Sequence, residues 1–137
     1  MYPAELVAPM KAELEDNGFM SLVSSSDVEQ AIGSGKGTCL VVVNSVCGCA
    51  ARNARPAAIA SVHNDKRPDR LLTVFAGVDT DAVAKAREYF QPYPPSSPSI
   101  ALFKDGELVH FIERHQIEGR PAELIASNLI SAYNEFC

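Results

Sequence analysis

The most constraining stretch is Thr38-Cys39-Leu40-Val41-Val42-Val43-Asn44, a β-branched apolar run followed by Ser45-Val46-Cys47-Gly48-Cys49. A run this apolar cannot leave one face to water, so it is expected to be a strand covered on both sides, in an α/β layered fold. The Ala- and Arg-rich segment that follows, Ala50 to Ala60, is helical in composition. Two thiols therefore fall at a strand-to-helix turn. There the unpaired N–H groups and the positive end of the helix dipole favour thiolate over thiol, and the thiolate is the reactive form.

The segments around this turn repeat the same logic. Ala4 to Asn17 spaces Leu6, Val7, Met10 and Leu14 as one face of a helix, and Ser24 precedes a second, capped helix that ends at Gly33. Ala50 to Val62 is read as a helix kinked at Pro56, and Leu71 to Ala76 as a second buried strand. Asp79 to Phe90 has helical period. Strand, helix, strand, helix implies parallel strands joined by right-handed crossovers. Pro92, Pro94, Pro95 and Pro98 forbid regular structure over Gln91 to Pro98. The strands Ser99 to Lys104 and Glu107 to Ile112 then flank Asp105-Gly106, residue types that suit a two-residue hairpin turn. A last helix is expected from Pro121, placed at its first position.

At 137 residues the chain suits one domain, 1–137, able to bury roughly two-thirds of its unfolded surface without disulfide staples. The expected architecture is α/β: a central mixed sheet of about four strands flanked by helices, with extra N-terminal helices. A net charge of −5 argues against nucleic acid or a polybasic membrane surface as partner. The N-terminus lacks the basic and apolar pattern of a secretory leader. On that reading the protein is cytoplasmic and its cysteines, Cys39, Cys47, Cys49 and Cys137, are reduced on average, which favours catalytic or metal-binding use over structural bridges.

Cys47 and Cys49 can close a disulfide across one residue, and Gly48 relieves the torsional limit of so small a ring. A tight ring is easily reduced, which points to exchange or isomerisation more than strong reduction. Emerging first from the strand, Cys47 is read as the attacking thiolate and Cys49 as the resolving thiol. Spacing alone leaves the reverse order open. Ser97-Pro98, directly before the hairpin, is where a cis proline would sit if that loop packs on the cysteine turn, leaving neighbouring backbone free to pair with an extended substrate. Asn44, which ends the strand, joins Ser97 and Pro98 in the candidate substrate-binding set; alternatively, Asn44 and Ser45 only bond the turn or close the strand.

Other groups carry two readings each. Cys39 within its strand reads as core packing, and Cys137 as an exposed tail or a third exchange partner. Arg52 and Arg55 hold a thiolate or bind carboxylates of a small thiol, or lie on a solvated helix face. His110 and His115 are surface residues or proton carriers. No second closely spaced ligand pair accompanies the dithiol, so the usual zinc pattern is missing and no metal is expected. The rival classes are a metal or iron carrier using Cys47, Cys49 and Cys137, and a redox-sensing binding module.

Val41 to Ala51, then Ala54-Arg55-Pro56-Ala57, Val74-Phe75-Ala76-Gly77, Arg87-Glu88-Tyr89-Phe90, Pro95-Ser96-Ser97-Pro98-Ser99 and Ile117-Glu118-Gly119 together resemble the bacilliredoxins, within the wider thioredoxin-like pattern of dithiol, cis proline and hairpin. The resemblance implies a cytoplasmic thiol-disulfide oxidoreductase, also described as an isomerase, that removes bacillithiol from mixed disulfides on proteins. It implies Cys47 attacking, Cys49 resolving and Pro98 facing the dithiol. No cofactor is implied beyond a low-molecular-weight thiol such as bacillithiol as co-substrate. The chain departs from the thioredoxin pattern in its one-residue spacer and in lacking an acid in the strand Thr38 to Val43.

Overall fold

Apolar alternation on two faces dictates the layering. In β2 (Thr38–Asn44) every residue is buried. Leu40 and Val42 face one core, whereas Cys39, Val41 and Val43 face the other. The computed structural model, which describes residues 2–137, builds these cores on the two sides of a single sheet. Its strands are β1 (Met20–Ser21), β2, β3 (Arg70–Phe75), β4 (Ser99–Lys104) and β5 (Glu107–Ile112), in the order β1-β3-β2-β4-β5.

The sheet is mixed, as its connections require. β3 pairs parallel with both β1 and β2, and β4 pairs antiparallel with β2 and β5. The sheet has five strands where the sequence suggests about four. The addition is β1, two residues long with Met20 exposed, too short to leave a periodic signal.

Helices α1 (Ala4–Glu15), α3 (Arg55–Ser61) and α6 (Ala122–Phe136) cover one face, and α2 (Ser25–Ile32) and α4 (Thr80–Tyr89) the other. Ser24 caps α2 by accepting from the Asp27 amide at 3.1 Å, and the Asp27 carboxylate accepts from Val23 N–H at 3.1 Å. Two expectations need correction. Pro121 stands at the N-cap of α6, extended at ψ 147°, outside the first helical turn. The helix after the cysteines is not one kinked rod: Ala50–Ala54 forms a π-helical turn closed by Arg55 N–H on the Ala50 carbonyl, and α3 starts with Pro56 in its first turn. There the N–H that proline lacks is not called on.

A further short element also escapes the sequence reading. α5 (Arg114–Ile117) begins with a capping box between Glu113 and Gln116.

The segment rich in proline is anchored by aromatic contacts. The Tyr93 ring stacks on Phe111 at 4.6 Å, and Phe90 lies 5.2 Å from the same ring. The Gln91–Pro92 and Ser97–Pro98 peptides are both cis.

Candidate active site

Topology brings three segments to one end of the sheet. The C-terminal end of β2, the start of β4 and the end of β5 are neighbours, because Val43 pairs with Ser99 and Ile100 with Ile112. The cysteine turn, the Ser97-Pro98 loop and α5 thus converge.

Cys47 marks the start of the helix. Its carbonyl accepts from Ala50 N–H at 3.0 Å and Ala51 N–H at 3.3 Å, and its Sγ accepts from Cys49 N–H at 3.3 Å. Its own N–H donates to Ser45 Oγ at 3.2 Å. Cys47 and Cys49 are joined as a disulfide with Cα atoms 5.3 Å apart. Cys47 is half-buried and Gly48 exposed, whereas Cys49 is only 6 % exposed. The two sulfurs therefore differ in access: the first meets solvent and the second faces inward.

Arg52 lies over Gly48. A Cβ built there would meet its Nη2 and Nη1 at 2.9 and 3.0 Å, so a larger spacer residue would have to displace the guanidinium. Arg55 is not on a solvated face. It is 3 % exposed, with Nε on Glu13 Oε1 at 2.9 Å and Nη1 on Asn44 Oδ1 at 2.9 Å and the Ser45 carbonyl at 3.1 Å. This buried cation braces the loop from behind. Asn44, 1 % exposed, spends its amide inside the protein: Nδ2 donates to the Met10 carbonyl at 3.1 Å, and Oδ1 accepts from Ser45 N–H and Arg55. Its side chain thus holds the turn and does not reach solvent. Pro98 is buried at the start of β4 and Ser97 is half-buried beside it.

The side chain that ties these pieces together is one that sequence reasoning missed. Arg114 Nη2 lies 3.4 Å from Cys47 Sγ, and Nη1 donates to the Ser97 carbonyl at 3.2 Å. A single guanidinium thus spans the dithiol and the proline loop. Its position is set by Glu118, whose Oε2 accepts from Nε and Nη2 at 3.1 and 2.9 Å. The Glu113-x-x-Gln116 pattern was the available signal, since it starts a helix and places Arg114 in its first turn with Glu118 four residues on.

The remaining candidates lie elsewhere. His110 Nε2 pairs with Asn128 Oδ1 at 2.7 Å on the outer part of β5, and His115 is exposed on α5. Cys39 is packed in the core, where burial pushes its thiol up to about 11 against a smaller downward pull from Arg70. Cys137 sits at the opposite end of the sheet from the dithiol. Its thiol is raised chiefly by burial, with Thr38, Asp69 and Lys104 as its polar neighbours. The seven residues of β2 separate it from the cysteine turn by about 20 Å, so Cys47, Cys49 and Cys137 do not form one donor set. Among the described residues, no group of three or more His, Cys, Asp or Glu is placed to hold a metal ion, and no helix is long and apolar enough to cross a membrane.

Comparison with known proteins bears on the family and the fold. Residues 2–137 match the family described as Disulphide isomerase. The bacilliredoxin of Cytophaga hutchinsonii is 59 % identical over 135 residues, covering 98 % of this chain and 99 % of that protein. The bacilliredoxin BH1716 of Halalkalibacterium halodurans is 56 % identical over 136 residues, covering 99 % and 94 %. Among solved structures, Fasciola hepatica thioredoxin aligns with a TM-score of 0.56 at 16 % identity, covering 87 % of this chain and all of that one. The thioredoxin-like domain of Arabidopsis NCP aligns at 0.62 and 17 % identity, covering 86 % and 78 %.

Proposed function

The chain belongs to the bacilliredoxins of the disulphide isomerase family, with a thioredoxin fold, and from that premise we propose that this thiol-disulfide oxidoreductase strips a low-molecular-weight thiol from mixed disulfides on proteins. The small thiol is of the bacillithiol type and the setting is the reducing cytoplasm.

In the proposed reaction the Cys47 thiolate attacks the small-thiol sulfur of a protein–S–S–R disulfide. The electron pair of the broken S–S bond leaves on the protein cysteine, which is restored, and the R–S group stays on Cys47 as a mixed disulfide. The Cys49 thiolate then attacks Cys47 Sγ, expels R–S⁻ and closes the Cys47–Cys49 disulfide. Alternatively a second small-thiol molecule attacks the adduct and leaves as R–S–S–R, freeing Cys47; once closed, the Cys47–Cys49 disulfide is returned to two thiols by a dithiol, or by two small-thiol molecules released as R–S–S–R. Rearrangement of disulfides within a protein would begin with the same attack by Cys47 and finish on a different substrate sulfur.

The observation that carries this division of roles is the difference in access. Cys47 is half-buried at a helix start, with N–H and guanidinium donors on its sulfur, whereas Cys49 is 6 % exposed. An outer, ionised sulfur suits first attack, and an inner one is shielded from solution disulfides until an adduct forms beside it. Ser97 and Pro98 form the wall along which the substrate lies.

The test is mass spectrometry after incubation with a thiolated protein. Cys47→Ala is expected to abolish transfer, and Cys49→Ala to accumulate R–S as an adduct on Cys47. An adduct on Cys49 in the Cys47→Ala protein would reverse the assignment.

A further inference from the structure

We infer that Arg114 is a catalytic residue of the exchange reaction, its guanidinium holding the Cys47 sulfur in the charged state that attacks. This rests on the proposed role of Cys47 as nucleophile.

Arg114 is 46 % exposed along its side chain, yet its direction is fixed. Glu118 grips one edge of the guanidinium, the Ser97 carbonyl takes Nη1, and the Arg114 backbone N–H meets Ser96 Oγ at 3.4 Å. Pinned on these sides, Nη2 points at Cys47 Sγ, 3.4 Å away. A sulfur inside a disulfide is a weak acceptor. The same approach becomes a charge-assisted hydrogen bond once reduction leaves a thiolate there. The guanidinium stays protonated throughout, so it supplies charge and takes no proton.

The other charged and titratable groups facing this sulfur are few. Arg52 lies over Gly48, Arg55 with Glu13 sits behind the Ser45 carbonyl, and Cys49 is the partner thiol. Glu118 works against the thiolate through its negative charge while it aims Arg114. This gives two variants with opposite expected signs.

The experiment follows alkylation of Cys47 by iodoacetamide across pH 5–10, read by peptide mass spectrometry so that Cys39 and Cys137 are counted separately. It uses the reduced full-length protein carrying Cys49→Ala, alone and with Arg114→Gln, Arg114→Lys or Glu118→Gln. Arg114→Gln is expected to move the alkylation midpoint up by about 0.5–1 pH unit, an opposite charge near a partly exposed group having an effect of that order. Alkylation at pH 7 should then slow, by at most roughly tenfold. Arg114→Lys should restore part of the shift and Glu118→Gln should move the midpoint down. A midpoint unmoved or moved downward by Arg114→Gln overturns the inference. In the reduced protein with both Cys47 and Cys49 in place, faster alkylation of Cys49 than of Cys47 would instead overturn the assignment of the nucleophile, so the two failures read differently.

Discussion

A buried arginine behind a redox turn is costly unless every donor finds an acceptor. Arg55 offsets much of that cost through Nε on Glu13 and Nη1 on Asn44 and the Ser45 carbonyl. Its truncation would leave the Ser45 carbonyl without its guanidinium donor and Glu13 alone, so Arg55→Ala is expected to lower stability by about 2–3 kcal/mol. Glu13→Gln, at a carboxylate 38 % exposed, should cost about 1 kcal/mol or less. Urea denaturation of the two variants checks the ranking. At this scale the dithiol and Pro98 could be read from the sequence, because cysteine spacing and proline before a hairpin are local patterns. Burial of Arg55 could not, since a helix composed of Ala and Arg gives no sign of which arginine turns inward. Arg114 is 67 residues from its sulfur partner, a contact made only by strand pairing.

Among the elements, the β4–β5 hairpin ties sequence to structure most directly. Asp105 and Gly106 adopt φ 51° and 84°, positive at both central positions as a type I′ turn requires. Asp105 does more than turn the chain. Its N–H donates to the Gly37 carbonyl at 2.8 Å and its Oδ1 accepts from Gly37 N–H at 2.9 Å, clamping the loop that feeds β2. Asp105→Ala should therefore cost about 1–2 kcal/mol, from the left-handed backbone and the lost acceptor together. Asp105→Asn, which keeps the carbonyl oxygen and tolerates that conformation, should cost little. Thermal melts of both variants separate the contributions. The bounds of β2, β4 and β5 follow from residue type alone, since β-branched runs and a polar turn mark them sharply. The two-residue β1, the five-residue π-helical turn and the four-residue α5 escape a reading by periodicity for one shared reason: none extends far enough past a single period for its pattern to repeat, and only the capping-box spacing marks α5.

At the scale of the molecule, Cys39 and Tyr133, packed inside the two apolar cores, shape its behaviour in alkali. Burial raises the Cys39 thiol to about 11 and also pushes up the Tyr133 phenol, which shares a hydrogen bond with Ser61 at 2.9 Å. An unfolded thiol ionises near 8.5. The folded protein therefore retains a proton that the unfolded chain gives up. Stability from Cys39 is complete below about pH 8.5 and is lost as pH rises toward about 11, at up to roughly 1.4 kcal/mol per pH unit. Tyr133 extends the loss above its ordinary value of about 10. Urea midpoints under reducing conditions are expected to fall across pH 8.5–10.5, and Cys39→Ala should flatten the lower part of that fall. The layered α/β architecture itself was legible, because a strand buried on both faces admits few other arrangements.

The placement of Cys137 at the pole opposite the dithiol has a practical corollary. A bead or dye coupled through that terminal sulfur would sit far from the cysteine turn, and two copies bridged there would stand tail to tail with both reactive ends pointing outward.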